Sequence, residues 1–493
     1  MIIKIIYFKP VGGTMNLLFV HGWSVTDQET YGDLPEAVVT AATADGLDIN
    51  VQHIFLGKYI SFHDEVTLDD IARAFDVARK DAMKKVSADE NAPFACITHS
   101  TGGPVIRLWA HLFYGLKNKM SETPLKHLVM LAPANHGSAL AQLGKSKLGR
   151  LKAIFSGVEP GTGVLNWLEL GSAQQWDLNT AWLNYNFAAN GLYSFVLSGQ
   201  TIDEKIYDFV NSYLVEKGSD GVVRLAGANM NYGYVRLRQN VNNIIGDTGR
   251  SFFHEAKSIT KLEVVGGSFV NSPKTPFCVV KDASHSGETI GIMRSVTESN
   301  YADKPVVGNI LKCLKVTDLT AYDTVDDNFK AISKQVQDAD TKVKDQYSML
   351  VFRVTDDRGN PVNDFDMLLL AGDDFNPDGL PKGFHEDHQK NIISPNILTY
   401  YVNYSELKRV PDGKIGIRIA ARPDEGFSHY SIAEFRSTGF AFDDILKPNQ
   451  TLLVDVELTR HVDENTFGLT PLADGKHNFK KEKTSGKDVP PTD

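Results

Sequence analysis

Between residues 17 and 287, short apolar runs alternate with stretches of helical periodicity, and this alternation limits the fold more than any other feature of the chain. A strand that is apolar along its whole length needs cover on both faces, and the intervening amphipathic helices supply it. The pattern therefore predicts a mostly parallel β-sheet wrapped by helices, an α/β class. The strand candidates are residues 17–20, 49–56, 93–98, 125–131, 193–198, 262–265 and 277–280. A helix is predicted over 67–86, where Thr67 and Asp70 form a capping-box start and Leu68, Ile71, Ala72 and Phe75 make one apolar stripe. A second follows Gly103, with Val105, Leu108, Trp109, Leu112 and Phe113 at helical spacing, and both stripes read as core.

Residues 139–190 interrupt the alternation with Phe155, Trp167, Trp176, Trp182, Tyr185 and Phe187 among glycines, which reads as a cap inserted in a catalytic domain spanning 1–315. Two readings of its aromatics stand side by side: the core of a small subdomain, or the lining of an acyl-binding groove with Trp167, Trp176 and Trp182 against substrate. Residues 1–14 are either an upstream extension or an early strand. Residues 316–347 are polar and charged and read as a helical or extended linker. From 348 to 465, runs such as MLVFRVT, ILTYYVN and TLLVDVEL separated by DDRGNP, PDGK and KPNQ predict an antiparallel β-sandwich, separable from the first domain. Residues 466–493 are polar and Lys-rich and read as a disordered tail. The 493-residue length agrees with more than one core.

The charge balance, 51 Lys plus Arg against 61 Asp plus Glu for a net −10, excludes nucleic acid as a partner, because phosphate binding needs a basic surface. The three cysteines, Cys96, Cys278 and Cys313, are far apart and show neither disulfide-framework nor metal-ligand spacing. No apolar run is long enough to span a bilayer, and MIIKIIYF is too short and interrupted by Lys4 to serve as a signal-peptide core. The chain is expected to be synthesised in the cytoplasm without a signal peptide.

The chemistry is written at PFACITHSTGG, residues 93–103, where a buried strand runs into a serine flanked by small residues and then into a helix. This is a nucleophile elbow: Ser100 on a sharp strand-to-helix turn takes a strained conformation, and the positions two before and two after it must be small. Gly102 meets that demand, and Thr98 stands where Gly is usual. LLFVHGW, residues 17–23, ends an early strand in His-Gly, so Trp23 N–H and Thr101 N–H are the candidate oxyanion donors. His21 itself reads as a structural histidine. The base is expected after the last strand, where FCVVKDASHSG places His285; His99 is set aside as pointing elsewhere on the turn. The acid is expected after the preceding strand, where Asp203 and Asp220 compete. Asp220, in the turn GSDGVV, is preferred over Asp203, which caps a helical stretch, and Asp282 is a weaker third.

Taken in order, HGW, THSTGG, LAPANHGS, GSDGVV and DASHSG resemble the α/β-hydrolase lipases, especially the branch of bacterial lipases and glycosylphosphatidylinositol-deacylase-like phospholipases, over about residues 15–290. The resemblance implies Ser100 as nucleophile, His285 as general base and acid, and Asp220 as the carboxylate orienting it, with APANHGS shaping the floor of the site. It implies neither metal nor cofactor. It implies a lipid or phospholipid ester as substrate, presented at a membrane surface, with thioesters, small esters or acyl transfer as alternatives on the same triad. A silent hydrolase fold whose β-domain binds a partner is the alternative of another class. Similar two-part layouts occur among phospholipase effectors of bacterial type VI secretion, which by analogy suggests that export route and a secretion-apparatus or immunity protein as partner of the β-domain.

Overall fold

The computed structural model of the chain describes residues 14–21, 31–61, 63–86, 89–142, 161–202, 216–249, 256–340, 344–438 and 442–463. Its first sheet contains β1 (Thr14–His21), β2 (Asp48–Phe55), β3 (Phe94–His99), β4 (Leu125–Leu131), β5 (Tyr193–Ser198) and β9 (Phe277–Val279). They lie in the order β2-β1-β3-β4-β5-β9 with every pairing parallel. Successive side chains point to opposite faces, so β1 sends Leu18 and Val20 into one core and Leu17 and Phe19 into another. The first core is covered by α2 (Leu68–Val86) and α3 (Gly102–Ala110), and the second by α1 (Leu34–Ala44) and α7 (Pro305–Leu314). The start of α2 is the expected reciprocal cap, with Thr67 N donating to Asp70 Oδ2 at 2.9 Å and Asp70 N to Thr67 Oγ at 3.4 Å. Three shorter helices, α4 (Thr162–Leu168), α5 (Ala173–Trp182) and α6 (Leu225–Ala228), also bury residues in the first core.

The stretch read as a linker contains α8 (Leu319–Ala339), which belongs to the catalytic layer. Tyr322, Val325 and Phe329 form a narrow stripe buried in the second core, and the Tyr322 hydroxyl donates to Ser194 O on β5 at 2.9 Å. Three apolar residues at positions i, i+3 and i+7 suffice to seat a helix whose remaining faces are charged, which is why the segment looks like a linker in composition.

The second sheet is built from β6 (Tyr232–Asp247), β7 (Ser258–Val264), β8 (Val270–Asn271), β10 (Tyr347–Asp356), β11 (Phe365–Ala371), β12 (His385–Lys390), β13 (Ile397–Asn403), β14 (Ile415–Ala421), β16 (Ile432–Arg436) and β17 (Thr451–Leu458). A ribbon of β15 (Ser428–Tyr430) and β18 (Arg460–Val462) stands beside it. The strand order is β11-β14-β16-β7-β6-β17-β10-β13-β12, with β8 against β6. This β-domain is one mixed sheet in place of two antiparallel ones: β10 and β6 both pair parallel with β17, and β16 pairs parallel with β7. It curls until the Tyr400 hydroxyl on β13 reaches Met367 O on β11 at 2.9 Å, near the opposite edge.

Two expectations are corrected here. The run 262–265 belongs to β7 of the second sheet, and not to the parallel sheet. It is only partly buried, with Ser258 and Val264 exposed and Lys261 and Glu263 half-buried, whereas β3 is buried from Phe94 to Thr98. The β-domain is also not a separate body. The chain leaves the first sheet after β5, contributes β6 to β8 to the second, and returns for β9. Tyr347, Met349 and Val351 of β10 and Ile397 and Tyr401 of β13 point into the first core, while Leu350, Phe352, Leu398 and Tyr400 point into the β-domain's own core. The second sheet is thus one wall of the catalytic domain.

A chain truncated after Gln346 is accordingly expected to lose solubility. Side chains such as Met349, Val351, Ile397 and Tyr401 contribute roughly 1.5–3 kcal/mol each when buried, and their loss together rivals a domain's net stability of about 5–15 kcal/mol. Expression and size-exclusion chromatography check this; a soluble, monomeric, esterolytic truncation would refute it.

Candidate active site

Ser100 follows β3 and has φ of 53°, in the left-handed region that costs a side-chain-bearing residue on the order of 1 kcal/mol. The turn is held by its surroundings. Ser100 N donates to Leu131 O at 3.0 Å, and a Cβ at Gly103 would stand 2.8 Å from Pro133 Cβ. A Cβ at Gly102 would meet Thr98 Cβ at 3.2 Å, so Gly102 alone provides the room the elbow needs and Thr98 is accommodated opposite it.

The other two residues arrive from the carboxyl ends of neighbouring strands, His285 just after β9 and Asp220 on the connection after β5. His285 Nε2 lies 3.1 Å from Ser100 Oγ, and His285 Nδ1 lies 2.9 Å from Asp220 Oδ2. The other carboxylate oxygen of Asp220 accepts from Val222 N at 3.0 Å and Val223 N at 2.8 Å, while Asp220 O accepts from His285 N at 3.0 Å. A carboxylate only accepts, so the proton of the neutral imidazole sits on Nδ1 and Nε2 is left to accept from the serine hydroxyl. Asp220 and His285 are 1% and 3% exposed, so the bond between them is shielded from water, while the Ser100 end is partly open.

Of the alternative acids, Asp282 has a side chain 75% exposed and lies beside Lys281, and Asp203 lies outside the described residues. Among the oxyanion donors, Thr101 is buried at the N-cap of α3, where the helix leaves N–H groups without an intrahelical partner; Trp23 lies outside the described residues. His21 faces His53, Nε2 to Nδ1 at 3.0 Å, and stacks on Phe55 at 4.2 Å between centroids. His99 does not point away. Its ring stands 4.6 Å from that of His285 and its Nε2 donates to His285 O at 3.0 Å, so it backs the proposed base. The signal was available in its position next to Ser100, but the return of β9 alongside β5 is a long-range event.

APANHGS ties the nucleophile's floor to the acid's loop: Ser138 Oγ donates to Val222 O at 2.6 Å, Asn135 Nδ2 to Ala228 O at 2.8 Å and His136 N to Gly227 O at 2.9 Å. Beneath it Arg107, fully buried on α3, donates to Asn135 Oδ1 at 3.1 Å and Asn179 Oδ1 at 2.7 Å. This network explains the cap tryptophans. Trp182 lies 4.7 Å from the Arg107 guanidinium and stacks on Phe187 at 4.0 Å, and Trp176 lies 4.7 Å from Arg353, itself paired to Asp455 at 3.0 Å. Trp167 is buried on α4 in the first core. All three are packed within the core, which corrects the reading of them as groove lining; Phe155 lies outside the described residues. Among the described residues, no group of three or more His, Cys, Asp or Glu side chains stands together as a metal site, and no helix is long and apolar enough to cross a membrane.

Phospholipase PlaB from Legionella pneumophila matches the chain at 41% sequence identity and a TM-score of 0.80, over 93% of this chain and 97% of that one. The same phospholipase solved in complex with thio-NAD matches at 40% identity and a TM-score of 0.79 with the same coverage. Bacillus licheniformis lipase BlEst2 in its mature form is 18% identical with a TM-score of 0.33, over 45% of this chain and 82% of that one. No protein-family model and no curated protein matches the chain.

Two outcomes follow from this packing. Trp182→Ala should destabilise the fold by about 3–5 kcal/mol, as core truncation of an aromatic does, and leave the acyl-length preference of the folded fraction unchanged; thermal melts and kcat/KM on p-nitrophenyl esters of increasing length test both, and a shifted preference at unchanged Tm would restore the groove reading. The second concerns acid. Burial, with the adjacent His53, pushes His21 down to about 3, burial pushes His127 down to about 4, and burial with the Arg107 charge pushes His136 down to about 3. The unfolded chain takes up protons at about pH 6.5 that the folded one refuses. The stability these groups contribute is present above that pH and lost as pH falls toward their folded values. Tm should drop steadily between about pH 6.5 and 4.5, less so in His127→Gln; a flat profile would count against it.

Proposed function

The chain belongs to the α/β-hydrolase family of lipases and phospholipases that includes Legionella pneumophila PlaB, and on that footing we propose that Ser100, His285 and Asp220 form the triad with which it cleaves acyl esters of phospholipids. The protein is a carboxylic ester hydrolase of the lipase and phospholipase class. The observation that carries the triad reading is the unbroken bond sequence from Ser100 Oγ through His285 to Asp220, at 3.1 and 2.9 Å.

In the reaction, His285 Nε2 takes the hydroxyl proton as Ser100 Oγ attacks the ester carbonyl. The negative charge of the tetrahedral intermediate falls on the former carbonyl oxygen, where Thr101 N–H at the start of α3 is the donor within the described residues. Asp220 stabilises the imidazolium that forms. His285 then protonates the departing alkoxide, leaving an acyl-serine, and in the second half removes a proton from water as it attacks that ester. Phospholipid substrates are supported by the relative, a phospholipase at 41% identity over nearly its whole length. The β-domain face carrying Tyr347 and Tyr401 is already taken up by the catalytic core, so a secretion or immunity partner would meet other surfaces.

A fluorophosphonate probe should label the parent at Ser100 and leave Ser100→Ala unlabelled. Fatty-acid release from phosphatidylglycerol and phosphatidylcholine vesicles should fall at least about a thousandfold in that variant. A folded Ser100→Ala protein with near-parental release would overturn the assignment.

A further inference from the structure

The turn that carries Asp220 is closed from behind by an arginine absent from the family motifs. Arg224 is 2% exposed, and its guanidinium reaches Glu216 twice, Nε to Oε2 at 2.9 Å and Nη2 to Oε1 at 2.5 Å. The same Nη2 lies 2.5 Å from Asp387 Oδ2 on β12, and the group sits 4.2 Å over the ring of Tyr401 on β13. Burial opposes the charge, but Glu216, Tyr401 and Asp387 outweigh it and hold the guanidinium above its ordinary value. One cation is thus shared between a carboxylate of the turn and a carboxylate of the second sheet.

Glu216 and Arg224 are the two ends of the turn. Within it Ser219 Oγ donates to Glu216 O at 2.9 Å, Leu225 N to Gly218 O at 2.9 Å, and Ser219 bridges Arg224 backbone to backbone. The second sheet holds it again at Tyr401, whose hydroxyl donates to Lys217 O at 2.7 Å. Gly218, at φ 72°, lies so close that a Cβ there would stand 2.7 Å from both Tyr347 and Tyr401. No side chain fits between turn and sheet. Asp220 therefore projects from a turn tied at both ends and seated on a rigid wall, and its carboxylate has one direction to take, toward His285.

We propose that Arg224 and Asp387 are positioning residues, through which the second sheet fixes the turn that aims Asp220 at His285 and so sets the turnover of the first domain. The proposal rests on the reading of Ser100, His285 and Asp220 as the triad, and neither residue touches substrate. Asp387 is partly exposed and Glu216 still pairs the guanidinium without it, so loss of its charge loosens the turn without leaving the cation alone.

The test is a double-mutant cycle on the full chain with Asp387→Asn, Asp220→Asn and both together, measuring Tm, fluorophosphonate-titrated active sites, kcat and KM on a soluble ester. Asp387→Asn is expected to lower kcat per labelled site about tenfold with KM within about twofold and little change in Tm. In the Asp220→Asn background it should cost nothing further, because the residue it acts through has already gone. An unchanged kcat, or losses that multiply in the double variant, would overturn the positioning role; a loss only of folded fraction would do the same. Should Asp387→Asn fail to fold, Tyr401→Phe, which removes the hydroxyl on Lys217 O, is read by the same criteria. If Ser100→Ala were as active as the parent, the triad itself would fall, whereas an inactive Ser100→Ala beside an unaffected Asp387→Asn would remove only the positioning role.

Discussion

A parallel sheet that is apolar on both faces must be covered on both, and here one of the covers is not made of helices alone. Met349, Val351, Ile397, Tyr401 and Leu453, all from the second sheet, complete the core above β1, β3 and β4. The placement of Ser100, His285 and Asp220 depends on that closure. Ser100 is fixed from beneath by β4 and the APANHGS loop, which is fastened to residues 222–228, and these rest on β10, β13 and β17 through contacts such as Thr451 Oγ to Ala226 O at 2.9 Å. Burial of the second sheet against the first is a hydrophobic interaction with a geometric product.

The strained serine fits the same picture. A left-handed backbone at Ser100 persists only where neighbours leave no alternative, and the close approaches of Gly103 to Pro133 and of Gly102 to Thr98 are what leave none. The motif that identifies such a turn is a record of which side chains would collide, and for that reason Thr98 can replace glycine when Gly102 is retained.

What was legible in the sequence was local. The β3-turn-α3 unit, the cap of α2, and the His285 loop after a buried strand are each written within a dozen or so residues, and the preference for Asp220 came from the turn chemistry of GSDGVV. What was not legible depended on partners far along the chain. The antiparallel pair of β6 and β7 is joined to the second sheet by β17 and β16, from the far end of the chain; Trp176 is decided by Arg353, and His99 by His285. The polar stretch holding α8 misled because three buried side chains, Tyr322, Val325 and Phe329, hardly alter its composition. Arg224 was invisible for a related reason, since a buried arginine differs from a surface one only in what faces it.

The excursion of the chain through β6 to β8, between the strands that precede Asp220 and His285, bears on the order in which the enzyme comes into being. Chain growth delivers all three residues of the proposed triad by position 285, yet β6 stays without its parallel neighbour until β17, Thr451–Leu458, has been made. Between position 285 and Thr451 the nascent polypeptide carries all three side chains of the proposed triad on an unfinished scaffold. Such long-range pairing is slow to form and comes late. The wall on which the Asp220 turn rests is therefore among the last parts of the chain to be made.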